Sequence, residues 1–171
     1  MIFLDLETQH LATEVGGWAN IEAMRMSVAC TFQERSGYRD WWESQAGDLL
    51  AELRAAPLVV GFNLNAFDYR VLSLYGPTQG LEAKTFDIHQ IVKEQTGKRV
   101  ALNTLAVLNL GEGKTFESGV QAVRFWQQGQ IEKLITYCQR DVELTRRLYE
   151  FWKAQGLLWI SGHEYAVWPG K

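Results

Sequence analysis

The sequence is short of the features that mark specialised chain classes. It has 3 prolines in 171 residues and an apolar fraction of 47%. That excludes a disordered or Pro-rich chain and leaves enough apolar side chain for a sizeable core in one domain spanning 1–171. No apolar run approaches the ~18 residues that a transmembrane helix needs, so no membrane association is expected. The chain opens directly on an apolar strand, which gives the expectation of no signal peptide. Its 2 cysteines, Cys30 and Cys138, lie far apart in apolar stretches. They read as buried thiols in a reducing cytoplasm, not as a disulfide framework. Positive charge is not in excess either: the formal net charge is -3. That argues against holding nucleic acid on a broad basic surface, but not against holding phosphates through cations bound to acids. There is no internal repeat, no low-complexity segment and no zinc-type spacing. The histidines His10, His89 and His163 are scattered and read as ordinary side chains.

The hydrophobic pattern predicts strands over 1–8, 26–33 and 37–42, with a turn at Ser36-Gly37. Residues 45–55 have helical periodicity with Leu49, Leu50 and Leu53 on one face, and Pro57 ends the helix. "LVVGFN" reads as a short buried strand, followed by a helix starting at Asn65. A strand near 83–86 leads into helices over 87–96, 101–109 and 118–128. Gly129 separates the last of these from a long helix over 130–155, and a short strand is expected near 157–160. Three consecutive strands and then alternation predict an α/β fold, a mixed sheet with helices on both faces.

Acids stand at three places in this pattern. In "FLDLETQ", Asp5 and Glu7 are one residue apart on a strand, so both point to the side of Phe3, opposite Ile2, Leu4 and Leu6. Two carboxylates so placed keep their charges only with something positive between them. In the long helix, the row Leu134, Tyr137, Asp141, Leu144, Leu148, Phe151 is apolar or aromatic except for Asp141. An acid there requires a pairing arginine or a bound cation. Tyr137 lies one turn before it on the same face. In "GFNLNAFDYRVL", Asn65 and Asp68 have the spacing of an N-cap and a capping box. Asp68 can equally face outward at the sheet end where ligands of open α/β sheets bind. Convergence of Asp5, Glu7, Asp68 and Asp141 would make an all-oxygen site suited to Mg2+ or Mn2+.

The residues in these places resemble three motifs of the DEDD (DnaQ-like) superfamily of 3′→5′ exonucleases, which have a ribonuclease H-like fold. "LDLET" is similar to the D-x-E-T motif. "GFNLNAFD" is similar to the second motif of family B DNA polymerase proofreading domains. "YCQRDVELT" is similar to the third in its Y-x-x-x-D form, which marks the tyrosine subgroup. Stand-alone bacterial ribonuclease H-like exonucleases are similar too. The resemblance implies a metal-dependent 3′→5′ exonuclease that releases nucleoside 5′-monophosphates from nucleic acid, with single-stranded DNA favoured and RNA also accommodated. Two divalent ions would act. Asp5, Glu7 and Asp141 would hold the first, and Asp5 and Asp68 the second, while Tyr137 would orient the attacking water. Thr8 and Leu11 would touch the terminal nucleotide, and Asn63 and Asn65 the strand near the second motif. No polymerase, helicase or RNA-binding module accompanies the motifs in these 171 residues. A helicase or polymerase partner therefore stays open, as does the pathway.

Other residues divide between bland and functional readings. Lys93, Lys98, Arg99 and Lys114 make a modestly basic stretch that reads first as a solvated face and second as a phosphate contact. Of the 7 tryptophans, Trp126, Trp152 and Trp159 read as core, while Trp18, Trp41 and Trp42 are candidates for base stacking. "FLDLET" also resembles the D-x-D-x-T start of haloacid dehalogenase-type phosphatases. Glu7 stands where that family needs a second Asp, and no adjacent acidic pair occurs anywhere in the chain. A ribonuclease H-like module that binds without cutting, and a structure-specific endonuclease, are the remaining alternatives.

Overall fold

The computed structural model describes residues 1–113 and 119–169. Its sheet has five strands in the order β3-β2-β1-β4-β5, with β1 Ile2–Thr8, β2 Met26–Gln33, β3 Gly37–Trp42, β4 Val59–Gly61 and β5 Thr85–Asp87. β1, β2 and β3 pair antiparallel, while β1, β4 and β5 run parallel, so the sheet is mixed.

Helices cover both faces: α1 Ala46–Ala55, α2 Tyr69–Leu72, α3 Ile88–Thr96, α4 Leu102–Leu110, α5 Gly119–Gln127 and α6 Ile131–Gln155. β1 is the central strand, and its alternation feeds two cores. Phe3 packs with Val28, Cys30, Val60 and Phe86 beneath α6. Ile2, Leu4 and Leu6 pack with Trp41, Leu49, Leu53 and Leu72 on the α1 and α2 side. Both faces of β1 are therefore buried, which explains the near-continuous apolar run around its acids.

The parallel pairing of β1 with β4 covers only Ile2 to Leu4. Asp5 and Glu7 lie past the end of β4, and Asp87 closes β5 opposite Gly61. The acids thus collect beyond the carboxyl ends of the parallel strands, where open α/β sheets bind ligands. A register shift between Glu7 and Thr8 ends the regular pairing with β2 there.

The tail departs from the expectation of one added strand. β6 Leu157–Ser161 pairs with β7 Glu164–Val167 as a separate hairpin. Trp168 then stacks on Phe86 with ring centroids 4.9 Å apart and meets Tyr149 and Trp152 edge-on, fastening the tail to the core. Trp159, expected in the core, sits on the outer face of the hairpin against Tyr165. Among the described residues no helix is long and apolar enough to cross a membrane.

Candidate active site

α6 crosses the sheet over β1 and brings a buried row of its own, Leu134, Tyr137, Asp141, Leu144 and Leu148, onto the face that carries Asp5 and Glu7. One carboxylate oxygen from each of Asp5, Glu7 and Asp141 lies within 4.8 Å of the others. Glu7 is 8% and Asp141 7% exposed, so little water screens them. The helix is seated by Cys138, whose thiol donates to the Asp5 carbonyl at 3.4 Å and faces its carboxylate at 3.6 Å. Burial pushes the Cys138 thiol well up, so it stays a protonated donor. Cys30 is likewise a buried free thiol. Three carboxylates at this separation, all oxygen donors, suit a hard divalent cation.

Asp68 stands beside this triad, 3% exposed. Its Oδ1 accepts the Leu6 backbone N–H at 3.1 Å, which ties the second motif to β1. Burial, joined by the negative charges of Asp5 and Asp87, raises its carboxyl well above the usual range.

The capping box expected at Asn65 and Asp68 is not formed. Asn63 takes the cap position with left-handed φ of 67°. The orphan N–H groups go to the next strand instead: Asp87 accepts from Asn63 N at 2.8 Å, Asn65 N at 3.0 Å and Gln90 N at 3.2 Å. One buried carboxylate thus caps α3 and holds the start of the π-helical turn Leu64–Asp68 that runs into α2, leaving Asp68 to turn toward β1. Sequence reasoning missed Asp87. The available signal was its place, an Asp between a strand and the first residue of a helix.

Asp5, Glu7, Asp68, Tyr137 and Asp141 all line one cavity of about 530 Å³, together with Asn63, His89 and Arg99. Tyr137 is 4% exposed. Two further cavities adjoin this one. An apolar cavity of about 380 Å³ is bordered by Glu7, Thr8 and Leu11. One of about 660 Å³ contains Asn63, Phe67, His89, Lys93 and Arg99. Thr8 donates its hydroxyl to the His10 carbonyl.

Asn65 is not brought to the acids. Its side chain donates to Gln90 Oε1 at 2.6 Å, and it lines a separate cavity with Tyr69 and Arg70.

The basic stretch divides. Lys93 and Arg99 line the larger cavity. Lys98 pairs with Glu164 on the hairpin. Lys114 lies outside the described residues. His89, read as ordinary, borders two of the cavities. Burial pulls its pKa below the usual value, with Arg99 and Lys93 acting in the same direction against Asp87.

Of the tryptophans singled out for stacking, Trp41 is buried with its Nε1 donating to Thr31 Oγ1, while Trp18 is open to solvent.

Comparison with known proteins agrees with this architecture. The sequence matches the RNase_H superfamily over residues 2–153. A search of curated proteins gives no match. Among solved structures, the chain is similar to the family B DNA polymerase from the hyperthermophilic archaeon Pyrobaculum calidifontis, with a TM-score of 0.67 at 16% identity. The likeness covers 87% of this chain and 24% of that one, so the present chain spans about a quarter of the polymerase's length. At that identity the likeness speaks to the fold. With the family match covering most of the chain, the mixed five-stranded sheet flanked by helices is an RNase H-like fold, and the protein belongs to the RNase_H superfamily.

Proposed function

We propose that this chain is a metal-dependent 3′→5′ exonuclease of the tyrosine DEDD subgroup, one RNase H-like domain over residues 1–171 acting on single-stranded ends of DNA and also of RNA. One observation carries the reading. Three acids from β1 and α6 place carboxylate oxygens within 4.8 Å of one another, in a cavity that Asp68 and Tyr137 also line. Three buried carboxylates this close repel one another, and positive charge among them offsets that cost.

Asp5, Glu7 and Asp141 would hold one Mg2+ or Mn2+ ion, and Asp5 with Asp68 a second. Bound there, the ions would supply the charge that stabilises the phosphodiester transition state and would lower the pKa of the attacking water. The chain's own residues do the rest. Tyr137 orients that water from its place one turn before Asp141; a phenol is a poor base at neutral pH, so its part is positioning. Asp68, fixed by the Leu6 N–H, would hold the ion whose charge stabilises the leaving 3′-oxygen. Thr8 and Leu11 border the apolar cavity next to Glu7, in reach of the last nucleotide. Asn63 lies on the path of the strand, while Asn65 serves the turn.

The test is digestion of 5′-labelled single-stranded DNA and RNA of one sequence in Mg2+ or Mn2+. A ladder shortening from the 3′ end is expected, slowed strongly by a 3′-phosphate and indifferent to a 5′ block. It should be abolished by Asp5→Ala or Asp141→Ala and by excess EDTA. Cleavage of a covalently closed single-stranded circle would make the enzyme an endonuclease. Full activity of either alanine variant would sink the metal mechanism.

A further inference from the structure

Trp18 is 67% exposed, more than any other large hydrophobic side chain among the described residues. It does not stand on a loose loop. Gly16 and Gly17 take φ of 86° and 106° and turn the chain. Behind them, the Gly17 N–H donates to the Ala12 carbonyl at 2.7 Å, Asn20 Nδ2 to the Val15 carbonyl at 2.8 Å and Arg70 Nη2 to the Ala19 carbonyl at 2.9 Å. Ile21 and Met24, further along the same segment, are buried in the core. The fold thus anchors the segment without using the indole. The ring's aromatic neighbour is Phe67, met edge-on at 6.4 Å between centroids.

Trp18 and Phe67 form a wall common to two cavities. On one side lies the apolar cavity beside Glu7, Thr8 and Leu11. On the other lies the cavity of Asn63, His89, Lys93 and Arg99. Lys93 and Arg99 form no ion pair among the described residues. The acids of that second cavity are engaged: Asp87 accepts three backbone N–H groups, and Glu94 accepts from Gln90 Nε2 at 2.7 Å. A flat, rigidly mounted π surface between an apolar slot and a basic one matches two successive nucleotides, with bases on either side of the ring and a phosphate on the cations.

We infer that Trp18 is the specificity-determining residue of the site. Its indole inserts between the bases of the last two nucleotides of a single strand, the terminal base in the apolar cavity and the second nucleotide beside Lys93 and Arg99. This rests on the exonuclease reading of the neighbouring acids. It adds a requirement which those acids do not impose, two unpaired bases, since neighbouring bases in a duplex cannot admit a ring without unstacking.

The experiment separates base from backbone. A fluorescein-labelled DNA hexamer with phosphorothioate linkages is titrated by anisotropy in Ca2+ against wild type, Trp18→Ala and Trp18→Phe, with thermal melts of all three proteins. A second hexamer lacks the last two bases. Trp18→Ala is expected to bind the complete hexamer about 5- to 150-fold more weakly, the range of one base–aromatic stack, and Trp18→Phe to recover most of that. The hexamer without the last bases should bind all three proteins alike. Equal binding of the complete hexamer by wild type and Trp18→Ala overturns the inference and leaves the exonuclease reading standing. So does an equal loss on both hexamers, which would assign Trp18 a role in loop architecture. Wild type that binds neither hexamer overturns the inference, and the separate cleavage assay then decides the exonuclease reading by itself.

Discussion

Replacing Asp141 by asparagine should make the metal-free protein more stable, and the site geometry sets the size of the effect. With carboxylate oxygens within 4.8 Å, two full charges repel by about 3.5 kcal/mol at an effective dielectric of about 20. Asp141 faces both Asp5 and Glu7, so about 7 kcal/mol would act on it if all three acids stayed ionised. The metal-free protein has a less costly state, in which the cluster takes up a proton. Protonating an ordinary aspartate of pKa about 3.9 at pH 7 costs about 4 kcal/mol, and this caps the penalty. Asparagine keeps the shape and removes the charge. Allowing about 1 kcal/mol for altered hydrogen bonds, Asp141→Asn should gain about 1–3 kcal/mol at pH 7 in EDTA, or several degrees in Tm.

The sign with pH follows from the same physics. Asp68, raised by burial and by Asp5, holds a proton in the folded state that the unfolded chain releases. The contribution of Asp68 to the stability of the metal-free protein is therefore lost as pH rises from about 3.9, the unfolded value, through the raised folded value. The advantage of Asp141→Asn should shrink as pH falls toward 4, where about half of the unfolded chain's aspartates are themselves protonated. Mg2+ or Mn2+ should reverse the order, because ligand at a hundredfold excess over its Kd adds about 2.7 kcal/mol to the protein that binds it. Melts from pH 4 to 8, with and without metal, measure all of this. An Asp141→Asn protein less stable than wild type in EDTA at pH 7 would refute the reasoning, since a positive partner would then govern Asp141.

Three further outcomes are expected. Tyr137→Phe should slow single-turnover cleavage roughly ten- to a thousandfold, about 1.4–4 kcal/mol of barrier, with melting and metal affinity near wild type; a Phe variant as fast as wild type removes the hydroxyl from the mechanism. Asp87→Ala should lose about 3 kcal/mol in urea unfolding, because three backbone N–H groups lose their acceptor, and Asn should fall between the two; a loss under about 1 kcal/mol would show that water replaces the carboxylate. Gly61→Ala should cost about 1–3 kcal/mol, since a Cβ there would lie 2.4 Å from Leu64 Cγ. The cost should shrink in the Gly61→Ala, Leu64→Ala double variant relative to Leu64→Ala alone, and strictly additive effects would count against the clash.

Much of the molecule was legible in one dimension. The period-2 pattern of β1 assigned Asp5 and Glu7 to one face, because a strand fixes side-chain direction locally. The row on α6 exposed Asp141 as an acid among apolar neighbours, because helical periodicity does the same at longer range. The three motifs in order pointed to the fold that the family match bears out. What the sequence could not decide depends on partners from distant segments. Whether Asp68 caps its own helix or turns to β1 was settled by Asp87, 19 positions later, which takes the N–H groups that a local cap would have used. Asn63 and Asn65 look alike in sequence, yet one lines the acid cavity and the other bonds Gln90. Lys93 and Arg99 face a cavity while Lys98 reaches the hairpin. Trp18 and Trp41 are both tryptophans flanking β2, and packing alone made one core and the other a solvent-facing wall. Local periodicity says which way a side chain points; only the assembled sheet and helices say what it meets there.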